Sequence, residues 1–249
     1  MLIGNKSTIP AISNLPGQKG STPAPGFVNT KSLYFEGPDE RVFTGVSTGT
    51  NDASICYWMN TTEIYANTES QCPYGGRGPG GDFYTFGRLG STAGSPDDTK
   101  VRIWNTFGTT KLNDGNWHFV LFTYNHTTKE VKAYVDGSIT PEATFTFPAF
   151  AGGNFTLAQG YNSSNYYYTG YVDEPAHFDY ILTGADNNLL YNGGIPQNLN
   201  DPLIVAVSPV NWYRNGDGDT YPTLIDHGTG LNNGTMQNMV AGDIVPNVP

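Results

Sequence analysis

Apolar and polar positions alternate with period two through most of this chain, in short stretches broken by Gly, Asn, Asp and Pro. The stretch "KLNDGNWHFVLFTYNHTTKEVKAYVDGS", Lys111 to Ser138, shows the pattern most fully. Trp117, Phe119, Leu121 and Thr123 fall on one side of an extended strand, and His118, Val120, Phe122 and Tyr124 on the other. Both sides are largely apolar, so the strand is expected to be covered on both faces. Asn125 to Lys129 carries turn chemistry. Val131, Ala133 and Val135 then alternate with Glu130, Lys132 and Tyr134, which predicts a second strand with one wet face. Asp136-Gly137 supplies the next turn, because Gly tolerates positive φ.

The same reading marks "KSLYFEGPDERVFTG", "ASICYWMN", "DFYTFGR", "KVRIWNT", "ATFTFPAF", "NFTLAQG" and "TGYVDEPAHFDY" as further short strands. Together they predict an all-β sandwich or barrel. One short helix is expected in "TGADNNLLYNGG", capped by Thr183, with Leu189, Leu190 and Tyr191 facing inward and Gly193-Gly194 ending it. Residues 1–30 differ from the rest. Pro10, Pro16, Pro23 and Pro25 stand among Gly and Ser with no sustained period, which reads as an extended arm. Leu2, Ile3, Ile9, Ile12 and Leu15 make that arm apolar enough to order against a partner surface.

Composition narrows the function classes. Only 14% of the 249 residues are charged, and the net charge is −10. A chain of that sign is repelled by phosphate backbones and anionic bilayers, so neither nucleic acid nor membrane is expected as a partner. No apolar run approaches the ~18 residues of a spanning helix. The start, "MLIGNKSTIPAISNLPGQKG", lacks a basic region before an unbroken apolar one, so no export signal is expected. Cys56 and Cys72 are compatible with a disulfide or with two buried thiols, and with the scattered histidines they offer no zinc spacing.

Three blocks resemble the laminin-G-like, or concanavalin A-like, jelly-roll domains. "SLYFEGPDERV" is similar to that family's opening strand and turn. "DGNWHFVLFTYNHTTKEVKAYVDG" resembles its Trp-His hairpin, and "YTGYVDEPAHFDYILTGADNNLLYNGG" its closing block. Their order and spacing agree over residues 32–194. The resemblance implies a two-sheet antiparallel jelly roll over residues 31–200, with Trp117 and Trp58 anchoring its core. An arm (1–30) and a C-terminal extension (201–249) flank it.

Chemistry is sparse. Glycosidases on this fold place two or three carboxylates at alternating strand positions, whereas Asp173-Glu174 are adjacent, and the family uses that pair structurally. No enzyme activity is expected. Related domains often carry a calcium ion at their rim, and "NGDGDT" offers Asp217 and Asp219 as hard oxygen ligands. Related domains also bind sugars. The loop "GYNSSNYYYTG" offers Tyr161, Tyr166, Tyr167 and Tyr168, although alternation puts Tyr167 opposite its neighbours, so at least one ring belongs to the core.

A recognition-type fold with an acidic surface, a partly apolar arm and no export signal points to a virion structural protein. Such domains also occur among bacteriophage structural proteins. On that reading it sits on the outer surface as a capsid decoration or tail-associated protein. Its arm would hold it to other virion proteins, with copies of itself as further partners. The alternative is a secreted or cell-surface carbohydrate-binding module whose Tyr-rich loop recognises glycans, host-surface glycans included. One feature departs from the family. "VNWYRNGDGDTYPTLIDHGTGLNNGTMQNM" resembles the segment that normally precedes "SLYFEG", yet here it comes last. Val210 to Arg214 is therefore expected to add as a strand through Trp212 and Tyr213, with Thr229 to Met239 lying along the sandwich. The strand would pair in cis as a circular permutation, or in trans between neighbouring copies.

Overall fold

The computed structural model describes residues 27–47, 51–64, 71–77, 85–92, 94–147, 154–159 and 167–249. In chain order the first strands are β1 (Ser32–Phe35), β2 (Arg41–Ser47), β3 (Ala53–Asn60), β4 (Tyr74–Arg77), β5 (Thr85–Phe86) and β6 (Leu89–Thr92). Then come β7 (Ser95–Ile103), β8 (Thr106–Phe107), β9 (His118–Asn125), β10 (Glu130–Val135), β11 (Ala143–Thr146), β12 (Asn154–Leu157) and β13 (Gly170–Phe178). Helix α1 (Gly184–Tyr191) precedes β14 (Asn211–Trp212), β15 (Thr223–Leu224), β16 (Gly234–Gln237) and β17 (Ile244–Val245).

Among the described residues the larger sheet runs β11-β10-β9-β3-β13-β1-β17, with β14 also on β13. The smaller runs β15-β16-β2-β12-β4-β5, and β6-β7-β8 form a third. All pairings are antiparallel, and the two main sheets pack as a jelly-roll sandwich.

Strand parity sets the layers. On β9, Val120, Phe122 and Tyr124 enter the core between the sheets, where they meet Leu33, Phe35 and Val42. Phe119 and Leu121, of opposite parity, enter a second apolar cluster on the other face of the larger sheet. Leu190 of α1, with Leu199, Val205 and Trp212, covers that face. Each such side chain taken fully out of water stabilises the fold by about 1.5–3 kcal/mol, so two apolar layers demand a strand apolar on both sides.

One expectation gains a location and another changes. Trp58 is buried, but in the outer cluster with Phe119 (5.1 Å between centroids) and Tyr191 (5.7 Å). Trp117 is only half-buried, tilted against Tyr171 at 6.1 Å. The two therefore share one core cluster, which lies on the outer face of the larger sheet and not between the sheets. The wet face of β10 is also shorter than expected: Glu130 and Lys132 form an ion pair at 2.7 Å, while Tyr134 is buried in the outer cluster. Cys56 and Cys72 are both buried, and no disulfide joins them.

Helix α1 follows its sequence signals. The Thr183 hydroxyl accepts from the Asp186 amide while Asp186 accepts from the Thr183 amide, and Asn192 ends the helix in the left-handed region. Leu190 is buried, and Leu189 and Tyr191 are half-buried. Gly184 is needed because a Cβ there would strike the Ile139 carbonyl. Asn187 and Asn188 donate to Ser138 O (2.8 Å) and Gly137 O (3.0 Å), which ties the helix to the Asp136-Gly137 turn.

The last fifty residues pair within the same chain. β14 sets Trp212 opposite Ala176 and Asn211 opposite His177, on the edge of β13 that β1 occupies at Gly170–Val172. β16 pairs with β2, and β17 with β1.

Candidate functional site

The outer face of the smaller sheet is built by alternation on β2. Val42, Thr44 and Val46 turn inward and are buried, so Arg41, Phe43 and Gly45 turn out. Phe43 keeps 42% of its surface exposed. It stands opposite Thr156 of β12 and Thr235 of β16, and Thr235 stands opposite Thr223 of β15. Two strand positions along, Arg41 faces Gln237. Its Nε donates to Gln237 Oε1 at 2.8 Å and its Nη1 to Gln159 Oε1 at 3.1 Å. Gln159 in turn bridges to Tyr167. The result is an exposed ring beside the Thr235 and Thr223 hydroxyls, two amides and a guanidinium, while Thr156 is buried and its hydroxyl donates to the Gln159 carbonyl. Such a surface can stack on the apolar face of a sugar ring while its polar rim bonds hydroxyl groups.

A second cluster lies inside the fold. β13 bulges between Asp173 and Ala176, with Glu174 at a φ of 49°, and the bulge brings both carboxylates into the interior. Asp173 accepts from Asn29 Nδ2 (2.8 Å) and from the Glu174 amide (2.9 Å). Glu174 accepts from the Trp212 indole N–H and from Arg214 Nε at 3.4 Å. Arg214 also reaches Asp217 at 3.4 Å, donates to the Val28 carbonyl and lies 4.5 Å over the Phe27 ring. Burial first, and then the charge of Glu174, pushes the Asp173 carboxyl well above the usual carboxylate range. Both groups act on the protein's own chain. A catalytic acid and base must instead reach substrate.

The structure places the sequence candidates as follows. Tyr168 is fully buried, its hydroxyl 2.9 Å from Asn60 O and 3.0 Å from Tyr171 O, so it is a core residue. Tyr167 is half-buried at the edge of the Phe43 face. Tyr161 and Tyr166, and the arm residues Leu2, Ile3, Ile9, Ile12 and Leu15, lie outside the described residues. Asp217 accepts from the Thr30 amide and hydroxyl, and Asp219 from the amides of Gly216 (2.7 Å) and Ile225 (2.7 Å). With those donors in place the pair does not fit a calcium ion. No cluster of three or more His, Cys, Asp or Glu among the described residues could hold a metal. Trp212 (2% exposed) and Tyr213 are buried on opposite sides of the larger sheet. Residues 27–30, assigned to the arm from sequence, are tied to the sandwich through Phe27, Val28, Asn29 and Thr30.

A family model described as the concanavalin A-like lectin/glucanases superfamily, of the laminin G type, matches residues 35–186, more than half of the chain. The chain belongs to this family. Among solved structures, this lectin-like jelly roll is similar to a Bacteroides ovatus protein described as a "putative carbohydrate binding protein". The identity is 18%, the TM-score 0.60, and the match covers 85% of this chain and 59% of that one. The chain thus spans less than two thirds of that protein's length. It is also similar to a heptameric SAP-like pentraxin from Limulus polyphemus, at 11% identity and a TM-score of 0.50, over 68% of this chain and 86% of that one. No curated protein matches it.

The Phe43 face was legible in part. "RVFTGVS" alternates, and an aromatic residue on its outward parity, two positions from an arginine, is the signal that marks it. The partners Gln159, just past β12, and Gln237, on β16, are distant in the chain, and no local pattern announces them.

Proposed function

We propose that this lectin-like jelly roll is a carbohydrate-binding domain that takes its glycan on the outer face of the smaller sheet. The observation that carries the reading is Phe43, a large ring left 42% exposed in an outward row whose neighbours are Thr156, Thr235 and Thr223. The ring's flat apolar face, set among polar side chains, suits stacking on a sugar ring. Likeness to the Bacteroides ovatus protein described as carbohydrate binding agrees with this reading. Glycan recognition takes precedence over attachment to a virion, because the likeness in fold is to a protein described as carbohydrate binding. Under the same proposal the partners are glycans, and Tyr167, bridged to Gln159, stands at the edge of the platform.

A glycan array probed with the whole chain tests the proposal. Binding to a defined set of glycans that falls at least tenfold in Phe43→Ala, with the melting temperature unchanged, supports it. An array without hits overturns it.

A further inference from the structure

Arg41 is fixed by neutral groups beside the exposed Phe43 ring. The chain carries 22 Asp and Glu against 12 Lys and Arg, so a carboxylate partner is easy to supply. Lys111 pairs with Asp98, Lys132 with Glu130, and Arg214 with Glu174 and Asp217, whereas Lys129 lies against His126. Among the described residues no carboxylate lies within ion-pair distance of Arg41. Its guanidinium is held by two neutral amide oxygens, from Gln237 on β16 and from Gln159 just past the end of β12, the strands either side of β2. Glu40, its neighbour in sequence, is turned away and accepts from the Glu36 and Gly37 amides. Two of the five N–H donors of the guanidinium are engaged by the glutamines, which leaves three without a partner among the described residues.

Neutral oxygens fix the orientation of a guanidinium without cancelling its charge. A planar fork with free donors matches a carboxylate, which accepts two parallel bonds. Phe43 lies two residues away on the same strand face, so a ring on Phe43 sets substituents at its rim within reach of Arg41. The net charge of −10 does not forbid an anion here, since charges beyond about 8 Å are largely screened at physiological salt.

We propose that the glycan unit on this face is an acidic sugar, whose carboxylate is taken by Arg41 while its ring stacks on Phe43. The assignment rests on the glycan reading above and narrows its ligand class to carboxylated units.

Matched ligands test it without altering the protein. Oligogalacturonate is compared with its methyl ester, and sialyllactose with lactose, by titration calorimetry of the full chain. In at least one pair the carboxylated ligand should bind about tenfold to a hundredfold more tightly than its neutral counterpart, the range expected of a charge-assisted fork. That preference should shrink as salt is raised. Arg41→Gln should abolish it, and Arg41→Lys should retain only part of it because a point charge lacks the fork. Phe43→Ala should weaken both members of the pair. Equal binding of charged and neutral ligands, or a preference that survives Arg41→Gln, overturns the acidic-sugar assignment and leaves the glycan reading standing. Absence of binding to these ligands and to every glycan on an array overturns both.

Discussion

The indole N–H of Trp212 donates to the carboxylate of Glu174, 38 positions earlier in the chain. The bond joins β14 to the bulge of β13, and the Trp212 ring closes the outer apolar cluster beside it. Trp212→Ala should therefore cost about 3–5 kcal/mol, the range for removing a large buried aromatic residue. Trp212→Phe keeps most of the packing but leaves a buried carboxylate short of a donor, at about 1–3 kcal/mol. Urea denaturation of the two variants checks both the order and the gap.

Asp173 gives the fold a pH dependence that one substitution should remove. Its folded-state carboxyl titrates above its unfolded value because burial disfavours the charge. Its contribution to stability is thus fully present below the unfolded pKa and is lost as pH rises through the folded one. Asp173→Asn has no charge to bury. Asn29 can turn its unpartnered Oδ1 toward the new amide. The variant should match the wild type near pH 4 and melt at a higher temperature at pH 8. Thermal melts across that window decide the matter, and a variant less stable at pH 8 would count against it.

His118 is set between two carboxylates, with Nδ1 2.7 Å from Asp136 and Nε2 3.1 Å from Asp114. Burial lowers its affinity for a proton, but bonds and charge from Asp136 and then Asp114 outweigh burial and hold it above the ordinary histidine value. This stabilisation is present below about pH 6.5 and fades as pH rises through the folded-state value. An NMR titration of the imidazole should give a midpoint above 6.5, and Asp136→Asn should lower it.

Removal of the chain after Asn200 should unfold the domain. The deletion takes away Trp212, Tyr213, Leu224, Met236 and Met239, all buried, and strips the partner strands from β1, β2 and β13. It also leaves Glu174 without Arg214. No cooperative thermal transition is expected by circular dichroism. A sharp melt at the full-length temperature would show that residues 201–249 are dispensable.

The layers of the fold were legible because alternation reports two faces. Phe119 and Leu121 against Val120 and Phe122 demanded cover on both sides, and the two apolar clusters supply it. Alternation does not say which face meets the other sheet. That is why Trp58 could be placed in the core but not in a layer of it, and the structure puts it with Cys56 in the outer cluster. The bulge at Asp173–Glu174 was not legible either, since adjacent strand residues point oppositely until one residue takes a positive φ. At the candidate site Phe43 and Arg41 could be read from β2 alone, whereas Gln159 and Gln237 reach them only through strand pairing.

Chemical-shift mapping tests the central claim most directly. Isotope-labelled protein is titrated with the strongest glycan from the array, and the perturbed backbone amides are placed on the structure. The account predicts that they cluster at Arg41 to Gly45, Thr156, Gln159 and Thr235 to Gln237, the outer face of the smaller sheet. Perturbations confined to the rim around Asp217 and Asp219, or to the helix side of the larger sheet, would contradict it.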